Sequence, residues 1–312
     1  MKTFNKLIIA LVLALSSLTM NAQQLPMYTH YMYNTLVVNP GYAGSRDALT
    51  VTGLYRNQWA GFEGAPKTET LTLHSPVGDN MGLGLSVNND KIGPVNNTSV
   101  FVDFAYKLKL TELAKLAFGL SGGVNMFQAN LSSLKIDQQN DAAFQNDVNN
   151  HVTPNFGFGA YYSRERFYAG VSIPNLIESN LSGVNVGNGT NLTGVEQRHY
   201  FFIAGSMIPL ANNFDFKPTT LIKVTQAAPV EADFTASFII NKRLLLGAMF
   251  RTGDAFGALV GLDITEQLHI GYSYDFSFGL KTGTYNNGSH EIILRYDFLV
   301  RDNKQIHSPR YF

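Results

Sequence analysis

Residues 100–110 read Val-Phe-Val-Asp-Phe-Ala-Tyr-Lys-Leu-Lys-Leu. Val100, Val102, Phe104, Tyr106, Leu108 and Leu110 alternate with Asp103, Ala105, Lys107 and Lys109, so a strand over this stretch has one oily face and one polar face. The pattern returns at Ile270, Tyr272, Tyr274, Phe276 and Phe278 against His269, Gly271, Ser273, Asp275 and Ser277. A third case sets Ile292, Leu294, Tyr296, Phe298 and Val300 against Glu291, Arg295, Asp297 and Arg301. Period 2 repeated along a chain that opens with an export signal predicts a transmembrane β-barrel, all-β and antiparallel.

The export signal is read from Lys2 and Lys6, the apolar run Leu7 to Leu15, and small polar residues leading to Ala22 and Gln23. Cleavage after Ala22 divides the chain into a signal peptide (1–22), an N-terminal periplasmic or lumenal segment (23–47), the barrel (48–300) and a periplasmic tail (301–312). The sequence has 23 basic and 23 acidic residues and no Cys. Losing Lys2 and Lys6 leaves 21 against 23, a net charge near −2, which gives no support to nucleic-acid binding. Without Cys there is no disulfide, no thiolate metal site and no lipoprotein processing. Beyond the signal no apolar run is long enough for a transmembrane helix, which takes about 18 residues or more. An exported chain with 22 Phe and 15 Tyr therefore folds in solution or spans as a barrel facing membrane lipid.

A pass along the chain gives about fourteen strands of about ten residues, an even number as such barrels require. The five longest connections, 60–67, 90–98, 129–151, 177–197 and 279–288, all follow odd-numbered strands. Those after even-numbered strands are tight turns. One rim is thus short and periplasmic, the other long and extracellular. A soluble β-sandwich would also alternate, but the oily faces here are aromatic-rich and almost free of charge. Tyr28, Tyr31 and Tyr33, with the turn from Asn39 to Gly44, make the N-terminal segment too aromatic for a linker; it is expected in the lumen or on the periplasmic rim, or else as a lead-in strand. Gly82, Gly84, Gly119, Gly122, Gly123, Gly157 and Gly159 sit inside alternating strands, where a barrel bends or a neighbour comes close.

No catalytic site, cofactor or metal centre is indicated. The seven His lack metal-ligand spacing, and Ser289 and His290, as neighbours on a strand, point to opposite faces and cannot act as nucleophile and base. Asp137, Asp141 and Asp147 could surround calcium, but the spacing lacks the glycine and terminal Glu of an EF-hand. The lumen candidates are Asp103, Lys107, Glu231, Asp233, Asp275, His290, Glu291, Arg295 and Asp297. Partner-binding candidates on the outer loops are Trp59, Phe62, Gly64, Ala65, Pro66, Asn185, Asn188, Asn191 and Tyr285, with Trp59 and Phe62 as aromatic anchors. Trp59 is also placed to serve in an aromatic girdle.

Several ordered stretches together resemble the PorP/SprF outer-membrane proteins of the Bacteroidetes type IX secretion system. They are Asn39, Pro40, Tyr42, Ala43 and Gly44; Arg56, Gln58, Trp59, Phe62, Gly64, Ala65, Pro66 and Thr68; Asp90 and Gly93; Tyr272, Tyr274 and Asp275; and Gly288 to Glu291 leading to Tyr296. Gly41 stands where the family usually has Ala. The resemblance implies a fourteen-stranded barrel that is not the main translocation pore. It also implies a partner: a secreted surface adhesin with a type B C-terminal domain, or type IX components in the periplasm and outer membrane. A passive porin would use the same barrel, and the mixed signs of the lumen candidates point to no single-ion selectivity.

Overall fold

A computed structural model describes residues 25–134, 147–180, 185–187, 190–191, 195–226, 228–278 and 286–298. The expected signal peptide, the tail, Asp137, Asp141, Asn188 and Tyr285 lie outside them. The main sheet has fifteen strand segments, two of which are pieces of one strand interrupted at Met207, so the barrel has fourteen strands. These are β1 (Leu49–Asn57), β2 (Lys67–Val77), β3 (Met81–Ile92), β4 (Val95–Lys109), β5 (Ala114–Ala129), β6 (Val148–Arg164) and β7 (Phe167–Ile173). There follow β8 (His199–Ser206, resuming at Ile208–Ala211), β9 (Phe214–Thr225), β10 (Ala228–Ile240), β11 (Leu244–Arg251), β12 (Ala255–Asp263), β13 (Leu268–Ser277) and β14 (Ser289–Phe298). Each strand pairs antiparallel with its sequence neighbours, and β1 pairs with β14 from Leu49–Phe298 to Asn57–His290, which closes the barrel.

The oily stripe of residues 100–110 is the outside of this wall. Val102, Phe104, Tyr106, Leu108 and Leu110 are exposed, whereas Asp103, Ala105 and Lys107 are buried within. Ile292, Leu294 and Phe298 likewise face out, with Glu291, Arg295 and Asp297 inside. Such an arrangement is inverted for water and correct for lipid: hydrocarbon solvates the outer face, and closure gives every strand's backbone its partners.

The sheet differs from expectation at residues 90–98. No long loop lies there: β3 runs to Ile92, β4 starts at Val95, and the two join by a tight turn at Gly93, where φ is +55°. Asn89 donates to Asn96 and to Thr98 across the hairpin, replacing apolar contacts by side-chain hydrogen bonds. β6 also starts earlier than expected, at Val148. At 15, 16 and 17 residues, β4, β5 and β6 are about 50 Å long or more at about 3.3 Å per residue, longer than the apolar band is tall. The excess projects from the extracellular rim and holds a small apolar cluster of its own, Phe127, Ala129, Leu131 and Val148 with Val95 against it.

Inside, the wall is not hollow. Residues 28–43 carry much of the buried core, with Tyr28, Tyr31, Met32, Leu36, Val38, Tyr42 and Ala43 packed against inward Tyr161, Tyr168, Ile203, Leu221, Met249 and Ile293. Two short 3-10 helices, Thr35–Val37 and Pro40–Tyr42, fold this segment. Residues 28–43 thus lie against the inner face of the wall.

Candidate functional site

The site is the plugged lumen and the rim above it. Residues 25–46 descend from the upper half of the lumen to the periplasmic rim, where β1 begins. Near the top, the Tyr28 hydroxyl meets Thr70 Oγ1 at 3.1 Å and donates to Asn88. Below it, Glu291 receives the backbone N–H of Thr29 at 2.9 Å and of His30 at 2.7 Å, and its Oε1 lies 2.8 Å from His30 Nδ1. Arg56, the cross-strand partner of Glu291, donates to it at 3.1 Å, to Asp275 at 2.8 Å and to Thr29 Oγ1 at 3.0 Å. Thr29 in turn donates to Asp275. This network is almost fully buried, so each charge is held by an opposite one and by directed hydrogen bonds.

Further down, Tyr33 stacks on His269 with ring centroids 4.4 Å apart, and Lys217 and Arg295 lie over its ring. Burial pushes the phenols of Tyr28, Tyr31 and Tyr33 above the ordinary tyrosine value. At the exit, Arg46 grips Asp297 through two hydrogen bonds of 2.7 and 3.2 Å, and Asp297 also accepts from Thr50. Lys107 Nζ donates to the carbonyl of Gly44. A second charged group lines the wall of β9 to β11: Arg251 forks onto Asp233 at 2.8 Å for both contacts, and Glu231 bridges Lys223 at 3.0 Å and Arg251 at 3.5 Å.

The turn at Asn39 to Gly44 sits on glycines. A Cβ on Gly82 would fall 2.1 Å from the Ala43 carbonyl, one on Gly119 2.1 Å from the Gly41 nitrogen, and one on Gly159 2.1 Å from Asn39 Oδ1. Asn39 fixes the turn by accepting from Gly41 N and donating to the carbonyls of Ala160 and Val171.

Eight of the nine lumen candidates thus point into the barrel, and seven of them meet a residue of opposite charge or the N-terminal segment. Among the described residues Asp103 meets neither and accepts from Ser86. His290 is the correction. It shares its parity with Ile292 and Leu294 and lies on the outer face, 2.8 Å from the Tyr272 hydroxyl and edge-on to Tyr274. Ser289, its neighbour, faces inward. Arg46, Arg56, Lys223 and Arg251 were not among the expected residues. Register exposes three of them, because Arg56 pairs with Glu291, Lys223 with Glu231 and Arg251 with Asp233 across adjacent strands.

On the rim, residues 58–66 are tied on both sides. Ala60 exchanges hydrogen bonds with Gly288 and Asn287, and Gly93 donates to Gly64. Gly64 takes φ +75°, Ala65 donates to Phe62, and the Pro66 carbonyl accepts from Gln58, so the loop is a closed turn. Phe62 is 56% exposed at its tip; Trp59 is half-buried, with φ +51° and its backbone N–H on Ser289 Oγ. Asn185 and Asn191 fall in short strands over the loop following β7. Asp147 accepts from the backbone and hydroxyl of Ser132, a capping contact. Among the described residues no three His, Asp or Glu come together to hold a metal.

A closed fourteen-stranded barrel, oily outside and plugged by its own N-terminal segment, is an outer-membrane protein of the β-barrel class. The profile of the type IX secretion system membrane protein PorP/SprF matches residues 20–296, and the chain belongs to that family. Among solved structures, Omp33 of Acinetobacter baumannii is similar at 12% identity and TM-score 0.47, over 82% of this chain and 100% of that one. The CymD monoaromatic hydrocarbon channel is similar at 10% identity and TM-score 0.48, over 89% and 95%. A search of curated proteins finds no match.

Proposed function

We propose that this barrel is a non-enzymatic member of the type IX system that supports export or surface attachment of a secreted adhesin bearing a type B C-terminal domain. It does so by holding that client at the extracellular rim. The observation that carries this reading is the plugged lumen: Glu291, Asp275, Asp297 and Lys107 all hold the N-terminal segment across it, so a partner approaches from the rim. The rim suits the task. Its turn at 58–66 is braced by neighbours on both sides and presents Phe62, an exposed aromatic, on a rigid support. A passive porin needs an open path, and the plug opposes one.

Export through the Sec pathway in a Bacteroidetes cell, with removal of residues 1–22, is part of the same proposal and rests on the leader-like order of Lys2, Lys6 and the apolar run Leu7 to Leu15. Deleting residues 177–197 is expected to lower client display on intact cells about tenfold with unchanged barrel levels, as read by surface labelling against an outer-membrane immunoblot. Unchanged display with the loop gone would refute the rim assignment.

A further inference from the structure

The plug does not fill the lumen on the side of β3 to β5. A cleft of about 90 Å³ remains between it and the wall. Its plug side is apolar, formed by Leu25, Pro26, Leu36, Val37 and Val38; its wall side is mixed, with Ser86, Asn88, Ser99 and Ser121 beside Phe101 and Phe201. Asp90 and Asn97, cross-strand partners on the projecting hairpin, mark one end. Asp103, the partner of Gly84, marks the other. Six residues of β3 separate the two levels, about 20 Å at about 3.3 Å per residue, so the cleft is long and narrow. Asp90, Asn97 and Ser99 are half-exposed, while Ser86, Ser121 and Asp103 are buried: the cleft opens outward and ends blind.

Asp103 is anomalous there. Glu231, Asp233, Asp275, Glu291 and Asp297 each have an Arg or Lys within 3.1 Å. Asp103 is only 3% exposed, takes the Ser86 hydroxyl at 3.2 Å on Oδ2, and has no cation among the described residues. The lining holds two carboxylates and no Lys, Arg or His. A buried carboxylate left without a counter-charge is costly, and a cation brought to it in a site of low polarity gains a strong, directed pair.

We propose that the cleft receives an extended, lysine- or arginine-bearing segment of the extracellular partner, whose cationic side chain reaches the Asp103 carboxylate. The apolar plug side would cover the methylene stem and the serines and asparagines would meet the peptide backbone. This rests on the rim-binding reading and adds the chemistry of what is bound. A long stem with a terminal charge matches a site that is narrow, half apolar and acidic at its blind end.

The test uses the full mature barrel in detergent and a fluorescein-labelled Gly-Ser-Lys-Ser-Gly peptide, with a twin carrying norleucine for lysine, read by anisotropy. The lysine peptide should bind at least tenfold more tightly than its twin. Asp103→Asn should remove that preference while the barrel keeps its heat-modifiable mobility on gels. Ser99→Phe, which blocks the cleft above an intact Asp103, should weaken binding to the same degree. Equal binding of the two peptides, or an undiminished preference in Asp103→Asn, would overturn the proposal. So would no binding at all combined with a lower melting temperature for Asp103→Asn, which would make the counter-charge internal to this chain. None of these results touches the loop-deletion display assay, so the cleft and the rim assignment fail separately.

Discussion

Glu291→Ala is expected to unseat the N-terminal segment and turn a closed barrel into a conducting one. The carboxylate takes two backbone N–H groups, one imidazole and one guanidinium, all buried. Alanine removes every acceptor at once. The N–H groups of Thr29 and His30 lose their partner, and desolvated donors left unpaired cost about 1–3 kcal/mol each. Arg56 keeps Asp275 and the Thr29 hydroxyl but loses one of its two carboxylates, and breaking a buried pair costs about 3–5 kcal/mol. The energies do not simply add, because the segment can move and let water in. That movement is the expected outcome: residues 25–34 leave the wall, water and ions follow, and the barrel survives because its strand ladder does not depend on the plug. Planar-bilayer recordings should show steps for Glu291→Ala and none for the parent, together with protease cleavage near Tyr31 in the variant only. A variant as silent and as protease-resistant as the parent would mean that Arg46, Lys107 and the glycine seat hold the segment without Glu291.

Much of this was legible in the sequence because a membrane imposes a strict rule. Where lipid touches the wall, as along Val102 to Leu110, every second residue must be apolar, and the alternation reads directly as inside and outside. The rule lapses above the membrane. Asn88 to Lys91 and Asn96 to Thr98 are polar on both faces, so a real hairpin reads as a loop. His290 shows the opposite case: its parity with Ile292 and Leu294 already puts it outside, and chemical type is a poorer guide than phase for a polar residue near a rim. Arg56, Lys223 and Arg251 follow from parity combined with hairpin register, as do their carboxylate partners. The plug contacts do not. His30 meets Glu291 across 261 residues, and no periodicity within either segment encodes that meeting. The in-strand glycines came nearest, since a residue that weakens a strand invites the question of what needs the space.

That question leads to Gly119→Val, expected to displace the turn at Asn39 to Gly44 and loosen the lower plug. A Cβ at Gly119 would stand 2.1 Å from Gly41 N and 2.3 Å from the Pro40 carbonyl carbon. Both are backbone atoms, so no rotamer change relieves the clash. The turn cannot slide sideways either, because Gly82 on β3 and Gly159 on β6 make equally close approaches and Asn39 is pinned to the carbonyls of Ala160 and Val171. Overpacking of a tight interior costs about 1–3 kcal/mol, and the lost contacts of Tyr42 with Tyr161 add to it. Gly122, three residues along the same strand, supplies the control. A Cβ there meets nothing closer than 3.6 Å, on the Phe156 ring, so Gly122→Ala should leave the barrel unchanged. Melting of the detergent-solubilised barrel, followed by limited proteolysis at residues 36–44, separates the two. Gly119→Val should melt lower and expose the turn, and Gly122→Ala should match the parent. Equal behaviour of the two variants would show that the turn yields without cost. The close approach would then reflect loose contact, and the glycines would serve the curvature of the wall.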